Sequence, residues 1–366
     1  MIKKNVLLFV PMIGGGGVEK NLFLIANYLS NKFQKISIIS TSKEYKNKFN
    51  KNVEFITPKN KLWNRIKNRR LKIIVSLFVL TKYYFQNKKF TVLSFQGNLY
   101  CCLLCKILGI KIILRSNASI TGWSKGFVKH FFYKKISKMA DKIIVNSLEF
   151  KNEYKNRFNI KTHCIYNPLN KKEIIKLSKI KVNFPFFKND TTNFINIGRL
   201  VNQKDQITIL KSFKKLKEKT SYKFRLLIIG DGINKDSLRR YIKKNKLNSC
   251  IKLMNFQKNP YPYLKKSEVF ILSSLFEGLP NVLLESLTLK NFIISSNCPT
   301  GPKEILDNGK SGLLFKMGDE NDLLKKIIYY LQNKRKCNNL IYNGVNRLWR
   351  FNYSSNLKKY TKLVSF

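Results

Sequence analysis

The sequence predicts two α/β domains, each a Rossmann-like parallel sheet covered by helices on both faces, set opposite one another across a cleft. Three observations carry this expectation. Short apolar runs alternate with segments long enough for a helix, the alternation breaks at a Pro- and Lys-containing stretch and restarts, and 366 residues suffice for two cores of ordinary size. In open parallel sheets ligands bind outside the carboxyl ends of the strands, so the cleft is the default active site.

In the first half the apolar runs at 6–10, 36–40, 91–95, 110–114 and 142–145 read as buried strands. The first of these resembles a leader superficially, but it is short and runs into Pro11 and four glycines, which fits a strand followed by a phosphate-type loop. The loop, Gly14-Gly15-Gly16-Gly17, opens an apolar-periodic helix through Leu22, Ile25, Ala26 and Leu29. It departs from the dinucleotide fingerprint because Glu19 and Lys20 stand where a third glycine would pack; Gly15, Gly16 and Gly17 read either as a ligand contact or as a tight turn. Residues 63–72 are basic and aromatic and lead into the apolar stretch 73–80, an amphipathic segment that suits either a membrane-interface helix or an ordinary core-facing one. No run reaches the ~20 apolar residues that cross a bilayer. Cys102 and Cys105 have metal-like spacing but sit in an apolar run without a second pair, which predicts a buried helix.

Asn167-Pro168 and Phe184-Pro185 interrupt the pattern, and lysines dominate between them. The expected division is therefore a first domain over residues 1–170, a linker over 171–189 and a second domain over 190–346. The aromatic, helical stretch 347–366 is expected to pack back on the first domain. Strand candidates in the second half are 194–197, 225–229, 251–253, 269–272 and 292–295.

A formal net charge of +51 raises the question of nucleic acid. The excess is mostly Lys spread over the whole length, with abundant Asn and Ile, as an A/T-rich coding sequence produces. Basic and aromatic residues do not interleave as in a nucleic-acid reader, so no specific nucleic-acid partner is expected. The remaining charge suits an anionic membrane surface or a diphosphate substrate. Seven cysteines, an odd number without a paired framework, point to a reducing, cytoplasmic compartment.

The chemistry concentrates in the second half. Glu277 and Glu285 are separated by seven residues across a Gly-Leu-Pro turn and the start of an apolar helix at Asn281, whose first amides favour phosphate. One acid can reach a hexose while the other accepts hydrogen bonds from ribose hydroxyls. Two acids beside phosphates demand cations, and Gly198-Arg199 followed by Lys204 places two just past a strand end. Arg199 can fork onto two phosphate oxygens, and Lys204 adds a movable point charge.

The segments Gly15-Gly16-Gly17-Val18-Glu19-Lys20, Gly198-Arg199 with Lys204, Ile229-Gly230-Asp231-Gly232 and Glu277 through Glu285 together resemble the family 4 retaining glycosyltransferases of the GT-B fold. Ala140-Asp141 with Asn146-Ser147, Tyr166-Asn167-Pro168, and Cys298 through Leu306 with Gly309 and Gly312 extend the resemblance over nearly the whole chain. It is close to bacterial enzymes that build cell-surface glycans such as lipopolysaccharide. The resemblance implies transfer of a hexose or N-acetylhexosamine from a nucleoside-diphosphate sugar, such as a UDP sugar, to a glycolipid or glycan acceptor, with anomeric configuration kept. It implies that Arg199 and Lys204 hold the diphosphate, Glu285 the ribose, and Glu277 the transferred sugar. Gly278 and the amides of Asn281 and Val282 complete the phosphate site, and Phe256 with Gln257 lie near the base. No metal or other cofactor is then required, and the enzyme is expected at the inner face of the cytoplasmic membrane, bound peripherally. Many relatives carry a His after the fourth strand, where this chain has Arg115-Ser116-Asn117; Arg115 and Asn117, with Glu19, become the candidates for a sugar or acceptor contact, the alternative being a structural Arg115 and a helix cap at Asn117. Alternatives are another sugar-nucleotide reaction on the same fold, epimerase- or phosphorylase-like, or a basic nucleic-acid-binding protein.

Overall fold

The computed structural model describes residues 1–14, 16–59, 63, 68–87, 89–117 and 127–366. They form two compact units, Met1–Pro168 with Tyr353–Phe366, and Leu169–Asn352.

In the first unit β1 (Ile2–Phe9), β2 (Phe33–Ile39), β3 (Val53–Ile56), β4 (Thr91–Ser94), β5 (Lys111–Ser116), β6 (Lys142–Val145) and β7 (His163–Cys164) make one parallel sheet in the order β3-β2-β1-β4-β5-β6-β7. Side chains alternate along each strand, so β1 sends Val6 and Leu8 to one face and Leu7 and Phe9 to the other. Helix α1 (Gly17–Ser30) covers the first face with Leu22, Ile25 and Leu29. The other face is covered by α2 (Arg69–Gln86), α3 (Asn98–Ile107), α4 (Phe127–Met139) and α5 (Leu148–Phe158). Local signals start these helices: the Asn68 carboxamide accepts from the Arg70 amide at 2.9 Å, and the Ser147 hydroxyl from the Phe150 amide at 3.1 Å. Cys101, Cys102 and Cys105 are fully buried core residues of α3, as their apolar surroundings predict. Asp141 accepts from the Ile112 amide and from Lys106, each at 2.7 Å, and so pins the entry of β6 to β5. Burial alone would push its carboxyl up, but these donors outweigh it and hold it below the ordinary range.

The second unit repeats the plan. Helix α6 (Lys171–Ser178) precedes β8 (Thr192–Ile197), followed by α7 (Gln206–Lys219), β9 (Phe224–Ile229), α8 (Lys235–Lys244), β10 (Ile251–Met254), α9 (Tyr261–Lys265), β11 (Val269–Leu272), α10 (Asn281–Thr288), β12 (Phe292–Ser296), α11 (Pro302–Ile305), β13 (Leu313–Phe315), α12 (Glu320–Gln332) and α13 (Lys334–Asn346). The strands are parallel in the order β10-β9-β8-β11-β12-β13. Near-continuous apolar strands such as Val269-Phe270-Ile271-Leu272 are buried on both sides, as a sheet between two helical layers requires.

Two boundaries differ from expectation. Residues 171–189 are not a free linker: α6 lies against α9 and α10, the Leu177 carbonyl accepts from Asn259 at 3.0 Å, and Phe184 sits edge-on to Tyr263 at 5.2 Å. The stretch 347–366 divides, because Arg347–Phe351 belongs to the second unit, with Arg350 donating to the Glu304 carbonyl. Only α14 (Tyr353–Val364) returns to the first unit, where Leu357, Tyr360 and Val364 complete the core on the α1 face. Edge strands β3, β7 and β13 were not among the expected ones; β7 and β13 are two and three residues long, too short for a pattern to develop, and β3 carries Glu54 in a partly exposed run.

Candidate active site

The second sheet reverses direction between β8 and β11, which are neighbours although the chain leaves β8 for β9 and β11 for β12. Such a reversal opens a crevice at the carboxyl ends of the two strands. Two glycines let the loops above it close together. A Cβ on Gly230 would stand 1.9 Å from the Gly198 carbonyl oxygen, and one on Gly301, whose φ is +86°, 1.9 Å from that of Gly278. No side chain fits either position, so the turns after β8 and β9 meet backbone to backbone, as do those after β11 and β12.

Into this crevice the chain delivers a cation and a carboxylate. Lys204 ends the short turn Asn202–Lys204, its aliphatic stem lying along Gly198. The turn is tied to the segment after β11 by three hydrogen bonds of 2.8 Å: Ser273 Oγ to the Lys204 carbonyl, the Leu275 amide to the Gln203 carbonyl, and Gln203 Nε2 to the Phe276 carbonyl. Lys204 Nζ forms an ion pair with Glu277 Oε1, with side chains only 16% and 9% exposed. Ser274 Oγ donates to the same oxygen at 2.6 Å, and Thr300 Oγ1 donates to the Glu277 carbonyl. Both side-chain donors to the carboxylate act on Oε1, which leaves Oε2 without a partner among the described residues. Behind the pair, burial and then the Glu277 charge push the Cys298 thiol up to about 12, so it stays protonated.

The other expected residues lie on separate elements of the second unit. Arg199 follows β8; its carbonyl accepts from Gln206 Nε2 at 3.0 Å, while its exposed guanidinium makes no ion pair or hydrogen bond with the described residues. Gly278 is buried under Gly301. Helix α10 starts at Asn281 and Val282 behind an extended Pro280 and without a side-chain cap, and carries Glu285, only 6% exposed, in its second turn. Phe256, just after β10, is 53% exposed, and its amide donates to Asp231 at 2.7 Å; Gln257 bonds locally to the Asn255 carbonyl. The Lys235 ammonium and this amide hold the Asp231 carboxyl below its ordinary range. Ser274 and Thr300 were not singled out from sequence. The signal for the first was a short hydroxyl three residues before Glu277 at a buried strand end; Thr300 reaches the site from a different loop and gave none.

In the first unit, Arg115 follows the structural alternative and is a core residue. It is fully buried, Nε donating to the Tyr360 hydroxyl at 2.8 Å and a terminal nitrogen to Asn167 Oδ1 at 2.9 Å, with the guanidinium over the Phe95 ring at 5.2 Å. The glycine loop leads into a helix start that faces a carboxylate of its own. Gly16 and Gly17 begin α1, but a Glu19 carboxylate oxygen lies 2.9 Å from where a Cβ on Gly16 would stand, so a negative charge already faces the helix start. Gly15 lies outside the described residues, as do most of residues 63–67. Asn117 is half-buried at the end of β5, with Nδ2 donating to the Phe95 carbonyl at 3.1 Å. Neither histidine replaces the missing one: His130 packs on Phe158 with rings 4.8 Å apart, and His163 lies in β7.

The model of the glycosyl transferases group 1 family matches residues 150–347, more than half of the chain. The chain belongs to this family. The matched part of this glycosyltransferase contains every strand of the second sheet together with Arg199, Lys204, Glu277 and Glu285, whereas the glycine loop and Arg115 fall outside it. An uncharacterized glycosyltransferase of Methanocaldococcus jannaschii is 42% identical over 183 residues, which span 48% of this chain and 44% of that protein. A Campylobacter jejuni protein, N-acetylgalactosamine-N,N'-diacetylbacillosaminyl-diphospho-undecaprenol 4-alpha-N-acetylgalactosaminyltransferase, is 26% identical over 90% of both chains. The crystal structure of Anabaena HepE in complex with UDP superposes with a TM-score of 0.80 over 99% of both chains at 14% identity, a likeness of fold. The glycosyltransferase thus has the GT-B fold of two Rossmann-like units.

Proposed function

We propose that this glycosyltransferase is a retaining enzyme. It moves a hexose or N-acetylhexosamine from a UDP sugar to a lipid-linked or cell-surface glycan acceptor, working peripherally at the inner face of the cytoplasmic membrane. The observation that carries the proposal is the pairing of Lys204 with Glu277 at the reversal point of the second sheet, beside an Arg199 whose guanidinium has no partner among the described residues. In this reading Arg199 and Lys204 take the donor diphosphate, helped by the first amides of α10, and Glu285 takes the ribose hydroxyls. Glu277 orients the transferred sugar through Oε2, and the exposed Phe256 ring offers a face to the base. The bond from the anomeric carbon to the diphosphate oxygen breaks, a bond to the acceptor oxygen forms on the same face, and the acceptor hydroxyl passes its proton to the departing diphosphate oxygen. Negative charge grows on the departing diphosphate, so cations and helix-start amides already in position favour the transition state over the ground state. The reaction then needs no divalent metal.

The Campylobacter relative supports a lipid-diphosphate acceptor, and the UDP in HepE supports a uridine donor. The test is a thermal-shift panel of nucleotides and nucleotide sugars on the wild type and on Glu285→Ala. Uridine diphosphate compounds are expected to raise the melting temperature of the wild type, as any ligand of the folded state does, and to lose that effect in the variant. Stabilisation by RNA but by no nucleotide would overturn the reading, and a shift retained in Glu285→Ala would overturn the ribose assignment.

A further inference from the structure

Three neighbouring helices of the first unit carry apolar side chains on the side away from their core. In α2, Ile73, Ser76, Leu80 and Tyr83 are buried, whereas Leu71, Ile74, Phe78 and Phe85 are exposed. The exposed residues recur at three, four and seven, the spacing of one helical stripe. Helix α3 repeats the arrangement, with Cys101, Cys102 and Cys105 inside and Tyr100, Leu103 and Ile107 outside. On α4, Phe131 and Phe132 are exposed. These helices cover the same face of the sheet, α2 beside α3 and α3 beside α4. Phe78, Phe85 and Ile107 are 72%, 70% and 80% exposed, so they stand proud of the surface. A helix apolar on two sides calls for cover on the second, and an apolar patch of this kind marks an interaction site.

Charge says what covers it. The sequences of the three helices contain no Asp or Glu, while Arg70, Lys72 and Lys82 on α2 and Lys135 and Lys138 on α4 supply cations. A second copy of a chain with net charge +51 would be repelled from such a face. We infer that the outer face of α2, α3 and α4 docks on an anionic phospholipid bilayer. The apolar side chains enter the boundary between headgroups and acyl chains, and the Lys and Arg side chains engage lipid phosphates. This deepens the peripheral-membrane reading above by naming the surface, and it is independent of the donor assignment.

The test is co-sedimentation of the full chain with vesicles of phosphatidylglycerol and, separately, of phosphatidylcholine. The wild type is expected to bind the first and not the second. The triple variant Phe78→Ser, Phe85→Ser, Ile107→Ser is expected to lose about tenfold or more in partitioning, because each apolar side chain adds buried area, with its melting temperature and nucleotide-induced shift unchanged. Lys243→Glu with Lys244→Glu, on α8 of the second unit, is expected to bind as the wild type does. Should the triple variant fold poorly, Phe78→Trp supplies a second reading: the emission of the introduced indole is expected to shift to the blue with phosphatidylglycerol vesicles and to be quenched by brominated acyl chains. A wild type that binds no vesicle sinks the peripheral-membrane reading itself. Undiminished binding by the triple variant, or an unshifted emission from Phe78→Trp on vesicles that do bind, sinks only the assignment of this face. A wild-type dimer that the triple variant dissolves in sedimentation velocity would give the face to a second copy and overturn the proposal.

Discussion

The two sheets of this glycosyltransferase reverse direction in the same way, between β1 and β4 in the first unit and between β8 and β11 in the second, yet they furnish the crevice differently. Beside the second crevice lie an exposed Arg199, a Lys204–Glu277 pair and the uncapped start of α10. Beside the first lie a helix start faced by Glu19, the Gln96 carboxamide accepting from the Met12 amide at 3.2 Å, and an Arg115 turned inward to Tyr360 and Asn167. Equal topology therefore carries an ion pair and an exposed arginine at one crevice, and a glutamate-faced helix start with an inward-turned arginine at the other. The fold supplies a place, and side chains decide which ligand the place accepts.

Four substitutions would break or sharpen that contrast. Lys204→Ala leaves Glu277 a buried charge without its cation, which costs about 3–5 kcal/mol when one partner of a buried pair is removed; chemical denaturation should reveal a destabilised second unit, and turnover should fall as well. Arg199→Ala removes an exposed cation without a protein partner, so thermal stability should stay as it is while turnover drops by about 10²–10³. Near-normal turnover would erase the special standing of the second crevice. Arg115→Ala should lower stability by about 1–3 kcal/mol for each buried partner left unsatisfied, with nucleotide affinity unchanged; a weakened nucleotide affinity at normal stability would make Arg115 a ligand contact after all. The smallest effect is expected from Glu19→Gln, about 0.3–1 kcal/mol from the loss of a carboxylate at a helix start, measured by denaturant midpoint.

The central strands were legible because a strand buried on both faces writes a continuous apolar run, as Val269-Phe270-Ile271-Leu272 does. Strands β7 and β13 were not, since two or three residues carry no period. In the site, the residue types of Arg199, Lys204, Glu277 and Glu285 and their spacing could be read, but not that Lys204 sits on Glu277 or that Ser274 shares the same carboxylate oxygen. Which of its two readings Arg115 follows was not legible for a related reason. An arginine at a strand end looks like a ligand contact until its partner is known, and that partner, Tyr360, lies 245 residues away in the chain. Charge and spacing are local properties of a sequence, whereas burial is not.

The return of α14 has a consequence for the order in which the molecule is made. Leu357, Tyr360 and Val364 form part of the first unit's core, and Tyr360 also anchors the Arg115 guanidinium. All of the second unit is translated before they are. The unit that starts first is therefore finished last: during synthesis the second unit can complete its core while the α1 face of the first still lacks a wall. Nascent chains stalled before residue 353 should yield a protease-resistant second unit and a protease-sensitive first one, and equal resistance of both would refute this order. The core of the first unit is complete only once α14 has left the ribosome.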